Sequence, residues 1–211
     1  MLTVHHLNNS RSQRILWLLE ELGLEYQLKT YQRDPESNLA PPELEQIHPL
    51  GKSPVLTDDS ATIIESGAII DYILRHYGAG RLQPEQGTHG YEQYLQWLHY
   101  AEGSAMLPMM LKMYTARLGD AGAPLQPRIS DELQRHLGYI ENALQGVDWL
   151  VDNCFSGADI QLSFVVEITP LLYSQEALPN ITAYRQRLQQ RPAYRAALER
   201  GGFYAYGSDT A

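Results

Sequence analysis

The chain has a single cysteine, Cys154, among 211 residues. One thiol closes no intramolecular disulfide, makes no Cys-x-x-Cys redox pair and supplies no multi-cysteine zinc site, so no metal centre is expected. Such scarcity fits a reducing compartment. Basic residues are also few: 16 Lys and Arg stand against 25 Asp and Glu, a net charge of −9. No run of Lys and Arg occurs, and a nucleic-acid partner is not expected. An anionic ligand would therefore need a local exception to an acidic field. No stretch of about 18 apolar residues is present, which gives no membrane-spanning candidate. The opening MLTVHHLNN lacks the basic start and apolar run of a signal peptide. The expectation is a soluble, cytoplasmic protein.

What is present is enough hydrophobic matter, 44% of residues, to bury a core. Leu2–Leu7 carries β-branched Thr3 and Val4 and reads as a strand. The turn Asn8-Asn9-Ser10 follows. Ile15, Leu18, Leu19 and Leu22 recur at helical spacing, with Gly23 as a stop. Tyr26–Tyr31 alternates as a second strand. Pro41 and Pro42 open a short helix that His48-Pro49 ends. Val55–Thr57 and Ala61–Ile64 read as two strands around Asp58-Asp59-Ser60. Ser66 is placed as the N-cap of a helix that carries Ile69, Ile70, Ile73 and Leu74 and stops at Gly78. The order β-α-β-α-β-β-α implies a small mixed sheet backed by helices. Residues 79–90, rich in Gly, Pro and Gln, read as a linker. The rest is helical in pattern: Tyr91–Leu118, Ile129–Leu144, Ala158–Leu172, Ile181–Gln190 and Ala193–Arg200. The expected division is an α/β domain over 1–78, the linker, and an all-α domain over 91–211.

Three short segments carry chemistry. In Gly51-Lys52-Ser53-Pro54-Val55, a proline stands just before a strand. Alone this is an ordinary turn; a cis bond there would leave neighbouring backbone free to pair with an extended peptide. Glu65-Ser66 opens a helix, where the first N–H groups favour a carboxylate and Glu65 an ammonium, a pair suited to an amino-acid zwitterion. The commoner role of such a pair is a plain cap. In Asn8-Asn9-Ser10-Arg11-Ser12, a hydroxyl between a strand and a helix N-terminus sits where an anion, thiolate included, is favoured. Ser10 or Ser12 capping the helix is the alternative.

Taken jointly, Asn9-Ser10-Arg11-Ser12-Gln13-Arg14, the stretch HPLGKSPVL from His48, and ESGAIIDYIL from Glu65 resemble the glutathione transferase superfamily. Ser156-Gly157-Ala158-Asp159-Ile160 is similar to the family's capping box in the helical domain, and Arg191-Pro192-Ala193-Tyr194 to the start of its C-terminal helix. The likeness runs from about Leu2 to Leu198 and is nearest to bacterial and fungal members with a serine in the first turn, the theta-like group. It implies a thioredoxin-like domain followed by an all-helical domain. It also implies glutathione as co-substrate and a two-fold homodimer acting in detoxification.

Residue by residue, the resemblance makes Ser10 the hydroxyl that bonds the glutathione sulfur, with Ser12 as the alternative. Ser53 and Pro54 match the corner that pairs with the cysteinyl backbone. Lys52 matches a basic residue near the glycyl carboxylate, and Glu65 and Ser66 match the γ-glutamyl pair. His48 either approaches the glycyl end or caps the short helix. Four of the five methionines lie in eight residues, 106–113, and Met is a pliable lining for varied apolar ligands. Met106, Met110, Met113 and Tyr114 are the expected electrophile wall, core packing being the alternative for about half of the methionines. The aromatic tail Phe203, Tyr204 and Tyr206 either covers that pocket or frays. Tyr91, Tyr94, Leu95, Leu98 and Ala101 either face a partner copy or form core. The expected reaction is conjugation of glutathione to apolar electrophiles. A glutathione peroxidase using the same site, and a non-catalytic glutathione-binding carrier or regulator, are the alternatives. With no cysteine in the first turn, thiol-disulfide chemistry is not expected.

Overall fold

A computed structural model describes residues 1–59 and 61–207. The residues group into two compact units: Met1–Gln83 with the chain from Leu188 onward, and Pro84–Arg187.

The first unit is built on a four-stranded sheet in the order β2-β1-β3-β4. Strand β1 is Leu2–Leu7, β2 is Gln27–Tyr31, β3 is Val55–Asp58 and β4 is Ala61–Ile64. β1 runs parallel to β2 and antiparallel to β3, and β3 pairs antiparallel with β4. Ser60 of the expected turn lies outside the described residues. Because β1 is central and covered on both faces, it cannot alternate apolar with polar. Leu2, Val4, His5, His6 and Leu7 are all buried. The first helix, α1, is Gln13–Leu22. It ends where Gly23 adopts φ 63° and Leu24 N–H reaches back to the Leu19 carbonyl at 3.0 Å, a closure that glycine makes without steric cost. Glu43–Ile47 forms α2 and Ser66–Tyr77 forms α3. The sequence placed Ser66 as the cap of α3. The cap position is Glu65, and Ser66 is the first helical residue.

The sequence grouped residues 91–211 as one helical domain. By packing, the chain from Leu188 onward joins the sheet unit. The last helix, named α9 below, is Pro192–Gly201 and starts with proline in its first turn, where no N–H is needed. It lies on α1. Tyr194 meets Trp17 edge-on at 5.1 Å, Arg191 forks onto Glu21 at 2.5 and 2.8 Å, and Arg200 bonds Glu20 at 2.9 Å while sitting 4.0 Å over the Tyr26 ring.

The second unit is helical. His89–Tyr100 forms α4, capped by the Thr88 hydroxyl, and Met106–Thr115 forms α5. The sequence pattern ran these together as one helix over 91–118. The structure separates them with a π-helical stretch, Ala101–Ala105. Pro108 has no N–H for the Ser104 carbonyl, so the regular helical ladder is interrupted just after this stretch. After tight turns over 116–125 come α6, Gln126–Ala143, and α7, Gly157–Leu172. The first thirteen residues of α7 are all buried, which makes it the unit's central element. Asp159 bonds Ser156 N–H at 2.8 Å, Leu150 N–H at 3.1 Å and Tyr184 O–H at 2.8 Å. The expected capping box is present and carries two extra donors. The remaining helix, α8, is Pro179–Gln189.

Candidate functional site

Three of the segments singled out in the sequence meet at the C-terminal end of β1, and the backbone of Leu7 joins two of them. Its carbonyl accepts from Ser10 Oγ at 2.8 Å and from Ser12 Oγ at 3.2 Å, while its N–H donates to Ser53 Oγ at 3.1 Å. Ser53 Oγ in turn donates to the His5 carbonyl at 2.8 Å. The Ser53 side chain is therefore spent on β1, and what the corner offers a ligand is backbone. The Ser53-Pro54 bond is cis.

Neither serine caps α1 through its side chain onto the helix. Ser12 occupies the cap position without a capping bond. Its Oγ, fully buried, lies 2.8 Å from His6 Nδ1 and 2.8 Å from Ser10 Oγ. Ser10 Oγ accepts Ser12 N–H at 3.2 Å. Burial pushes the His6 ring down to about 4, against a smaller opposing pull from a hydrogen bond to the Gly201 backbone. The ring is neutral at neutral pH.

The third segment is tied in by Arg14, a buried guanidinium that donates to Ser66 Oγ at 3.1 Å. One residue earlier, Glu65 is exposed and sits at φ 67°, ψ 117°, a conformation L-residues rarely adopt. Strain of this kind persists where the surroundings enforce it, and it gathers at binding sites. Lys52 is exposed, so an acidic chain presents a cation in this unit. Among the described residues, His48 bonds within its own loop and not to this cluster. Its Nδ1 accepts Leu50 N–H at 3.3 Å.

Sequence reasoning missed the residues that hold the turn. Arg33 donates through Nε to the Asn8 carbonyl at 3.2 Å and through Nη2 to the Asn9 carbonyl at 3.3 Å, while Asn8 Oδ1 accepts Arg33 N–H at 2.8 Å. Asn9 has φ 49° and its Oδ1 accepts Ala205 N–H at 2.7 Å. The tail after α9 thus returns to the turn, with Phe203 exposed and Tyr204 edge-on to Tyr206 at 5.4 Å. Only the paired histidines of a buried strand offered a signal in the sequence.

In the helical unit, Met106 is 2% exposed and packs in the core, so it presents no surface to a ligand. Met110 is half-buried, and Met113 and Tyr114 are exposed on the same stretch of α5. Tyr94, Leu98 and Ala101 are likewise core, which removes them from any face for a partner copy. A groove of about 650 Å³ in this unit is lined by Trp97, Tyr100, His136 and Tyr139 among others.

Comparison with known proteins gives a consistent result. Residues 1–75 match the family described as Glutathione S-transferase, N-terminal domain, and residues 103–192 match Glutathione S-transferase, C-terminal domain. Glutathione S-transferase 3 of Schizosaccharomyces pombe is 34% identical over 95% of this chain and 88% of its own length. Glutathione S-transferase 1 of Saccharomyces cerevisiae is 31% identical over 95% of each. Among solved structures, a glutathione S-transferase from Actinobacillus pleuropneumoniae is 34% identical, covers 98% of this chain and 95% of its own, and superposes with a TM-score of 0.90. A sphingomonad glutathione S-transferase complexed with glutathione is 25% identical, with a TM-score of 0.77 over 95% of this chain and 99% of its own.

Proposed function

Since the chain belongs to the glutathione S-transferase family, we propose that it conjugates glutathione to apolar electrophiles and that the Ser10 hydroxyl bonds the glutathione sulfur. The observation that carries this reading is the convergence on Leu7: one backbone residue holds both the Ser10 turn and the Ser53-Pro54 corner. The donor set fits the tripeptide. The exposed Glu65 carboxylate suits its ammonium, the first N–H groups of α3 suit the α-carboxylate beside it, and Lys52 suits the glycyl carboxylate.

Bound glutathione supplies a thiol, whose ordinary pKa of about 8.5 leaves little thiolate near neutrality. Ser10 contributes a hydrogen bond that favours the charged sulfur, and the N-terminus of α1 adds a favourable dipole. Serine stays uncharged and forms no covalent bond to substrate. Met110, Met113 and Tyr114 offer the electrophile a pliable apolar face with one phenol. Association of two copies belongs to the same reading. With Tyr94, Leu98 and Ala101 buried, Tyr91 and Leu95 remain of the expected face, beside the aromatic groove at Tyr100 and Tyr139, and light scattering on the purified chain tests association.

The deciding experiment passes the protein over immobilised glutathione and assays it with an aryl halide and with cumene hydroperoxide, beside Ser10→Ala. Retention with aryl-halide turnover that collapses in the variant is the expected result. Retention without turnover on either substrate would replace the enzyme with a glutathione-binding carrier. Failure to bind glutathione would remove the function and leave only the family.

A further inference from the structure

Two hydroxyls stand at the mouth of the sheet, each within 2.8 Å of the other. Either one is chemically able to bond a sulfur, and resemblance alone leaves the choice between them open. Resting on the reading above, we propose that His6 makes the choice: it accepts the Ser12 proton, so that Ser10 alone retains a proton to give, and Ser12 and His6 are positioning residues.

The argument is one of counting protons. A serine hydroxyl has a single proton, and a neutral imidazole has one donor and one acceptor nitrogen. His6 Nδ1 lies 2.8 Å from Ser12 Oγ. The ring also has a hydrogen bond with the Gly201 backbone that favours its protonated form, so the ring is the donor there; with Nδ1 facing Ser12, the donating nitrogen is Nε2. The ring proton is therefore assigned to Nε2, which leaves Nδ1 as an acceptor; of the two acceptors near Ser12 Oγ, Nδ1 at 2.8 Å is closer than the Leu7 carbonyl at 3.2 Å, and the single Ser12 proton goes to Nδ1. Ser12 is fully buried as well, with no surface to show a ligand. Ser10 is buried too, but at 6% exposed it keeps some surface, and its proton is not committed to the histidine. Its oxygen accepts Ser12 N–H at 3.2 Å, and its proton goes to the Leu7 carbonyl at 2.8 Å or the Ser12 oxygen at 2.8 Å. Rotation about one bond redirects that proton to a sulfur. An oxygen that already accepts a hydrogen bond donates more strongly.

The far end of this chain of bonds is the C-terminal segment, some two hundred residues away in sequence. Gly201 approaches so closely that an added Cβ would stand 2.9 Å from Gln13 Oε1, 2.9 Å from Leu16 Cδ1 and 3.3 Å from His6 Cε1. A side chain at this position would push the ends of Gln13 and Leu16 aside and crowd the His6 ring. The tail is thereby part of the machinery that aims Ser10.

Two measurements test this, neither of them turnover. Nitrogen-15 NMR of the free protein reads the His6 tautomer. Expected is one neutral form, protonated on Nε2 at neutral pH, and mixed forms in Gly201→Ala. Ultraviolet titration of bound glutathione reads the thiol pKa. Ser10→Ala is expected to lower the thiolate fraction near neutrality about tenfold, a shift of about one unit. Ser12→Ala and His6→Leu are expected to lower it about threefold, with glutathione affinity within about twofold of wild type; His6→Asn, whose amide oxygen accepts, restores it. An equal effect of Ser12→Ala and Ser10→Ala, a ring protonated on Nδ1, or no effect of His6→Leu would overturn the proposal. If His6→Leu does not fold, the tautomer and the two serine variants decide. Binding of glutathione with no effect of Ser10→Ala overturns the reading of the site as well, and the tautomer then reports only a core hydrogen bond.

Discussion

Burial of His6 in the neutral form makes stability depend on pH. In the unfolded chain the ring takes up a proton near 6.5; in the folded protein that step falls to about 4. Below 6.5 the unfolded state binds the proton and the folded state refuses it, so protons favour unfolding. The contribution is complete above 6.5 and is lost as pH falls from there towards 4. A difference of about two and a half units amounts to about 3 kcal/mol at the bottom of the window, of which about 2 kcal/mol is already gone by about pH 5. His5 is also depressed by burial and acts in the same sense. Asp58 and Asp34 are held below the ordinary carboxylate range, mainly by hydrogen bonds from Tyr77 and Ser37, and lose their contributions at lower pH. The His6 share is therefore isolated by difference. Urea midpoints of wild type and His6→Asn are measured from about pH 7.5 to about pH 5 by tryptophan fluorescence and far-UV circular dichroism, coincidence of the two marking an all-or-none transition. Wild type should lose about 2 kcal/mol more than the variant. Parallel losses in the two proteins would refute the claim that this ring is buried neutral.

Other consequences are equally direct. Ser10→Ala should reduce kcat/KM for glutathione conjugation about tenfold to a hundredfold, the worth of one hydrogen bond to a charged group, and should cost about 1 kcal/mol or more of stability because it strands the buried Ser12 N–H. Glu65→Gly should hold or raise the melting temperature, because glycine relieves the φ of 67°, while retention on immobilised glutathione falls; a less stable, fully binding variant would contradict the strain argument. Asp159→Ala strands the Leu150 and Ser156 N–H groups and the Tyr184 hydroxyl. It should cost about 3 kcal/mol or more in urea denaturation, far above the value of about 1 for an ordinary cap.

Much of this molecule was legible in its sequence because the signals are local. Hydrophobic period and stop residues determined β1, α1 and the hairpin within a residue or so, and the serine and aspartate three apart announced the α7 capping box. Helix ends were less legible where two local rules conflict. Nothing in the residues near 101 reports a π-helical turn, and the α3 cap falls at Glu65, at positive φ, rather than at Ser66.

The candidate site divides along the same line. Ser10, Ser53, Pro54, Glu65 and Ser66 stand in short motifs readable from neighbours in the chain. His6 and Arg33 do not, because their partners are fixed by strand position rather than by sequence spacing. The sequence alone determined which hydroxyls stand at the end of the first strand. Tertiary structure decided where their protons go, by bringing the Gly201 carbonyl against a histidine nearly two hundred residues earlier. A hydrogen bond takes its direction from the partner already committed, and no local pattern records a partner that only folding supplies.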